Sequence, residues 1–303
     1  MKPILPNLLV AGSAKCGTSS LHNYLAQHPE IFMSRAKEPR FISSQGMRFP
    51  LGGPADHKVE WWYIKDYNKY VDLFKDAVGY KVIGESSADT LYFHEHTIRT
   101  IKTYIGDPKI LLVLRNPVKR AFSAYQHLVR DGRESLSFEE ALKAEPDRIR
   151  DNWELIYHYR SVSKYYVPVK NFTENFSRVK VILSDQLEKN TEATLRDVFE
   201  FLEVDPTYKI DDTKTKYNVS GKPKSRWLHS VLSEGHPILK VVSPIARTFL
   251  SKEQRKKLSL KVQQMNLSRL QIDPNTERML KDEFRGEIEK LEDLLKMDLS
   301  HWK

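Results

Sequence analysis

One cysteine, Cys16, stands in the whole sequence, so no disulfide can form within the chain. That scarcity fits a reducing compartment. Long apolar runs are missing as well, and no stretch approaches the ~18 residues that a spanning helix needs. The apolar start around Leu8-Leu9-Val10 is short and interrupted by Pro3 and Pro6, unlike a secretory signal. These features together lead us to expect a cytoplasmic protein without a membrane span. The histidines and Cys16 show no metal-ligand spacing, so no metal site is expected. Basic residues are scattered rather than striped and match no nucleic-acid module, so nucleic acid is not an expected partner. Acidic residues are in the minority, 40 against 49 lysines and arginines, which leaves a net charge of +9. Such a surface suits anionic ligands, but charge alone does not choose among them.

Short strands alternate with helices along the chain. Leu8-Leu9-Val10-Ala11 reads as a strand ending at Gly12, with a helix at about 18–26 stopped by His28-Pro29. Further strands are expected at 80–84, 109–114 and 179–183. The third of these four is continuously apolar, as in a buried parallel sheet. Asn116 and Pro117 supply a cap and a first-turn proline for a helix running to about 129. Another helix is expected near 191–203. This alternation predicts an α/β fold, a P-loop-type, mostly parallel β-sheet flanked by helices, as a single domain over 1–303. Residues 206–250 carry four prolines and read as an irregular lid or acceptor region. At 274–297 a packing helix is expected, because Leu280, Phe284, Ile288, Leu291 and Leu295 fall on one face.

The densest chemistry lies between the first strand and its helix: Gly12-Ser13-Ala14-Lys15-Cys16-Gly17-Thr18-Ser19-Ser20. Small residues let backbone amides turn toward an anion, and the helix N-terminus adds positive potential. This is not the G-x-x-x-x-G-K-[ST] loop of ATPases. Thr18 stands where that pattern has lysine, and the lysine has moved to Lys15. Cys16, Gly17, Thr18, Ser19 and Ser20 complete the candidate phosphate loop. A second anion site is predicted where the 109–114 strand meets its helix. Arg115 ends the strand and Ser123 lies about two turns into the helix, so both can face one ligand.

These two elements resemble the phosphosulfate loop and the 3′-phosphate motif of sulfotransferases that use 3′-phosphoadenosine 5′-phosphosulfate (PAPS). The similarity is greatest to the bacterial and heparan-sulfate-type branch: Lys15-Cys16-Gly17-Thr18 and His28-Pro29 match its loop and helix, and Arg115, Pro117 and Ser123 match its spacing. The resemblance implies that Lys15 contacts the bridging oxygen or 5′-phosphate and that Thr18 and Ser19 hold phosphosulfate oxygens. The late basic segment, with Gly221, Lys222, Lys224 and Arg226, resembles the loop that closes over the 3′-phosphate; as an exposed basic loop it has an equally plain reading. Helix patterns at Tyr165, Val169, Phe172 and Phe176 also fit, mostly as core spacing. The implied reaction is sulfuryl transfer from PAPS, with PAP (3′,5′-ADP) as product, to a hydroxyl or amine of a small-molecule or saccharide acceptor.

Sulfuryl transfer needs in-line placement, charge neutralisation and a base for the acceptor proton. Lys37-Glu38-Pro39-Arg40-Phe41 resembles the context in which heparan-sulfate-type enzymes carry a catalytic glutamate, which makes Glu38 the candidate base and Lys15 its catalytic partner. An ion pair with Lys37 or Arg40 is the competing reading of Glu38. His127, in Tyr125-Gln126-His127, resembles the N-sulfotransferase branch and is the alternative base or acceptor-assisting group. Where family members often carry lysine after a glutamate, this chain has Ser86. Trp61, Trp62 and Tyr63 could stack on a sugar or aromatic ring, but we read them as core. The competing functions are a P-loop kinase, which would need Mg²⁺ and ATP, and a non-enzymatic polyanion-binding protein.

Overall fold

The computed structural model describes residues 3–211 and 270–303, together with the backbone at 222–223 and 267–268. Strand β1 (Leu8–Gly12) enters the centre of a five-stranded parallel sheet. The others are β2 (Ile31–Met33), β3 (Val82–Ser86), β4 (Lys109–Leu114) and β5 (Val179–Leu183), in spatial order β2-β3-β1-β4-β5. The chain builds one side of β1, then crosses to the other at β4. The carboxyl ends of β3, β1 and β4 flank that reversal of direction, which is where open α/β sheets place ligands.

The strands are apolar because both faces are covered. Every residue of β1 is buried, as are Ile110 through Leu114 of β4. Each such leucine or isoleucine contributes about 1.5–3 kcal/mol by leaving water. Helix α1 (Thr18–Leu25) follows the phosphate loop, and α6 (Pro117–Arg130) follows β4. Asn116 caps α6 as expected, its side chain accepting from the Lys119 amide at 3.1 Å, with Pro117 at the first helical position. Between these come α2 (Phe41–Ser44), α3 (Asp56–Glu60), α4 (Tyr67–Asp72) and α5 (His94–Tyr104). Downstream lie α7 (Phe138–Arg150), α8 (Tyr166–Asn175), α9 (Ser184–Lys189) and α10 (Thr191–Leu202).

The last helix, α11 (Pro274–Leu295), buries Leu280, Phe284, Ile288 and Leu291, with Leu295 partly covered, so the expected face is the packed one. The chain then ends in a turn against the start of α6. Trp302 is buried beside Tyr165, and its carbonyl accepts from the Asn116 side chain at 3.0 Å. The C-terminal turn thus pins the entry of α6.

Three expectations need correction. The second strand was placed at 80–84 but runs from Val82 to Ser86, because Tyr80 and Lys81 are solvent-facing approach residues. A strand, β2, stands at Ile31–Met33, too short for its pattern to show. Trp61 and Trp62 are not core: they are 93% and 79% exposed, and only Tyr63 of the trio is buried. Of the late basic segment, Gly221, Lys224 and Arg226 lie outside the described residues. Lys222 is described only by its strand pairing with Ser268. No helix among the described residues is long and apolar enough to cross a membrane.

Candidate functional site

The phosphate loop leaves β1 at a bulge: Val10 lies opposite Leu111, yet Gly12 lies opposite Leu112. Gly12 has a φ of +152° and lies so close to the next element that a Cβ there would meet Leu91 Cβ at 2.7 Å. Gly17, at φ +103°, caps α1 without a side-chain bond. Only glycine takes that conformation cheaply. The first turn of α1 therefore has no side-chain cap, the arrangement an anion would satisfy. Within the loop, the Cys16 amide donates to Ser13 O at 3.2 Å, and the Ser20 amide to Gly17 O at 3.0 Å. Thr18 is buried, while Ser19 and Ser20 are half-buried at the loop's edge. The Cys16 side chain points the other way. It is fully buried, 3.6 Å from the Tyr165 hydroxyl, and burial pushes its thiol pKa up.

Lys15, also at positive φ, sits among cations. Burial first, then Arg130, Arg115 and Arg120, bring its ammonium pKa down to about 7, against an opposing pull from Asp131. Burial is the larger cause, and the three arginines add positive charge around the ammonium.

Arg115, at the end of β4, reaches back to this loop. Its Nη1 donates to the Lys15 carbonyl at 3.3 Å. Ser123 is buried two turns along α6. The two predicted anion motifs are thus joined at the carboxyl ends of adjacent strands. Arg120, which the sequence reading did not single out, lies between them on α6 and is fully buried.

His127 follows Ser123 by one turn, on the same helix. Its Nδ1 accepts from Arg130 Nη2 at 2.7 Å, and its Nε2 lies 3.5 Å from Asp131 Oδ2. That pairing assigns the proton to Nε2 in a neutral ring. Burial and the nearby Lys15 and Arg130 charges hold its pKa well below the usual value. The ring is engaged on both sides, so it can orient Arg130 and Asp131 around Lys15 but is poorly placed to take a proton itself.

Glu38 sits on a turn after β2, with positive φ at both Glu38 and Arg40. Such conformations cost about 1–3 kcal/mol each and persist where neighbours hold them. Here the exit of β3 does so. The Glu38 amide donates to Ser86 O at 2.8 Å, and Glu38 Oε2 accepts from the Ala88 amide at 2.9 Å. The Ser87 hydroxyl accepts from the Arg40 amide at 3.0 Å. Because Ser86 pairs with Val10, this places Glu38 one strand away from the phosphate loop.

The ion-pair reading of Glu38 is the one the contacts show. Lys37 Nζ lies 2.7 Å from Oε1 and Arg40 Nε 3.7 Å from Oε2. Burial pushes the Glu38 pKa up, but the Lys37 and Arg40 charges and the Ala88 amide outweigh it, and the group stays below its ordinary value. It is ionised, and so able to accept a proton. Arg40 continues the chain of charge: Nη1 donates to Glu154 at 3.2 Å and to the Tyr63 hydroxyl at 3.0 Å, and Glu154 pairs with Arg133, which in turn pairs with the buried Asp56. This network fixes the Glu38 turn against the 56–63 segment. Beneath it, burial raises the Glu85 pKa to about 8 and that of Asp89 to about 6. Ser86, where family members often carry lysine, accepts or donates at 2.9 Å with His22 Nδ1. No group of three or more His, Cys, Asp or Glu among the described residues is arranged to hold a metal.

Comparison with known proteins places the chain in a family. The Sulfotransferase family model matches residues 6–208. A solved sulfotransferase from Alicyclobacillus acidocaldarius is 32% identical, with a TM-score of 0.74, over 99% of this chain and 99% of that one. Carbohydrate sulfotransferase 15 of Rattus norvegicus is 24% identical over 276 residues, covering 74% of this chain and 49% of that protein. A bifunctional heparan sulfate N-deacetylase/N-sulfotransferase 2 of Bos taurus is 32% identical over 123 residues, 41% of this chain and 13% of that protein. The chain thus spans about half the length, or less, of these curated relatives. It belongs to the sulfotransferase family, a family of transferase enzymes.

Proposed function

We propose that this sulfotransferase-family chain transfers the sulfuryl group of PAPS to a hydroxyl or amine of a saccharide or small-molecule acceptor. The observation that carries the donor assignment is the contact between Arg115 and the Lys15 backbone, which joins two anion-binding motifs into one surface. A nucleotide phosphorylated at both 3′ and 5′ positions needs two such motifs side by side. PAPS supplies an activated sulfuryl group and leaves as PAP.

The chain's own residues then have distinct tasks. The loop amides, Thr18 and Ser19 bind the 5′ end, and Lys15 offsets negative charge gathering on the departing phosphate. Arg115 and Ser123 hold the 3′-phosphate. Glu38 Oε accepts the acceptor's proton, a role typically worth ~10²–10⁴ in rate. The bond to the Ala88 amide and the Arg40 pairing aim its carboxylate. His127 holds Arg130 and Asp131 rather than serving as base.

Acceptor recognition has fewer landmarks. Trp61 and Trp62 adjoin Tyr63, whose hydroxyl binds Arg40 beside Glu38. Their exposed faces suit stacking on a sugar or aromatic ring. The carbohydrate acceptors named for the rat relative support a saccharide. Release of PAP from PAPS, measured across saccharide and small-molecule acceptors, tests the transfer; no release with any acceptor, in a protein that binds PAP, would refute it.

A further inference from the structure

Arg120 is among the largest fully buried side chains, at 0% exposure, and its Nε, Nη1 and Nη2 all lack a hydrogen-bond partner among the described residues. None of the three is open to bulk water. Buried guanidinium groups are ordinarily paired, because a lone charge removed from water is strongly unfavourable. This protein follows the rule elsewhere: the buried Arg148 is held by both Glu134 oxygens, at 2.6 and 3.0 Å. Around Arg120 no carboxylate of the described residues does the same. Glu145 acts on it electrostatically, but Oε2 of that residue accepts from the Arg160 amide at 2.8 Å and Oε1 from the Ser161 amide at 2.8 Å. The other groups that weigh most on it, Tyr165, Cys16 and Tyr159, are neutral.

Its place in the fold gives the unpaired charge a purpose. Arg120 precedes Ser123 by three residues, so the two share a face of α6. It acts on Cys16, the buried underside of the phosphate loop. Its field reaches Lys15 as well, where it is one of the charges that depress the ammonium.

We propose that Arg120 is a positioning residue for the donor: a sealed, unpaired guanidinium beneath the phosphate loop whose counter-charge arrives with the phosphates of the bound nucleotide. The inference rests on the PAPS reading above. The unliganded fold carries the cost of this charge, and the liganded one recovers it. A structural arginine would behave in the opposite way, stabilising the free protein and leaving affinity alone.

Thermal unfolding and calorimetric titration with PAP, on the wild type, Arg120→Met and Arg120→Lys, separate these cases. Arg120→Met should unfold at a higher temperature than wild type without ligand, yet bind PAP about tenfold or more weakly, with a shallower salt dependence. Arg120→Lys, which keeps the charge, should bind PAP within about threefold of wild type. An Arg120→Met protein that fails to fold, melts lower without ligand, or binds PAP as wild type does would overturn the proposal. Absence of PAP binding by the wild type would instead bring down the donor reading itself.

Discussion

The Arg115 guanidinium donates to the Lys15 carbonyl at 3.3 Å, so the residue assigned to the 3′-phosphate also braces the loop assigned to the 5′ end. This contact couples the two halves of the proposed donor site. The assignment of Arg115 to the 3′-phosphate predicts that Arg115→Ala weakens 3′,5′-ADP by about 10–100-fold, the worth of a charge-assisted hydrogen bond, and 5′-AMP, through the loop contact alone, much less. Equal weakening of the two nucleotides, measured by titration, would show that Arg115 serves only the loop.

Glu38 is ionised and held by Lys37, Arg40 and the Ala88 amide. Glu38→Gln preserves an acceptor for that amide but not a proton acceptor for the substrate. PAP affinity should stay within a few-fold while turnover falls by ~10²-fold or more. Single-turnover rates of PAP formation check this. Unchanged rates would move the base elsewhere.

Lys15 titrates near 7 in the free protein, chiefly through burial and the cations around it. A bound anion favours its charged form, so its pKa rises in the complex. The favourable coupling is therefore complete below about pH 7 and fades as pH rises toward the pKa of the complex. PAP affinity should decline steadily from pH 6.5 to about 9, by up to tenfold per unit where Lys15 alone titrates. Lys15→Ala should flatten this profile and lose most turnover with the fold intact. A wild-type affinity independent of pH over that range would contradict the role given to Lys15.

Trp61 and Trp62 are exposed, and removing them should disturb an acceptor rather than a core. The double alanine variant should change stability by no more than ~0.5 kcal/mol per site, against ~3–5 kcal/mol for a buried tryptophan. With a saccharide substrate, KM for the acceptor should rise while KM for PAPS holds. A large loss of stability would restore the core reading.

Much of this was legible in the amino-acid sequence because periodicity and caps are local signals. The 109–114 and 179–183 strands appear where expected, as do Asn116 as a cap and the apolar face of α11. The Gly12–Ser20 loop and the Arg115/Ser123 pair stand out by spacing, and the structure brings Arg115 against that loop. What escaped was nonlocal. Trp61 and Trp62 look like core by composition, and only the path of the chain exposes them. Arg120 does not stand out, because nothing in its sequence neighbours shows that it is buried without a partner among the described residues. The Arg40–Glu154–Arg133–Asp56 chain joins residues up to 114 positions apart, beyond the reach of any local pattern.

The most direct test of the account is calorimetric titration of the protein with 3′,5′-ADP and with ATP, each without and with Mg²⁺. We expect tight, metal-independent binding of 3′,5′-ADP and weak binding of ATP. Preference for ATP with Mg²⁺, or no binding of either nucleotide, would contradict the assignment of this site to a PAPS-type donor.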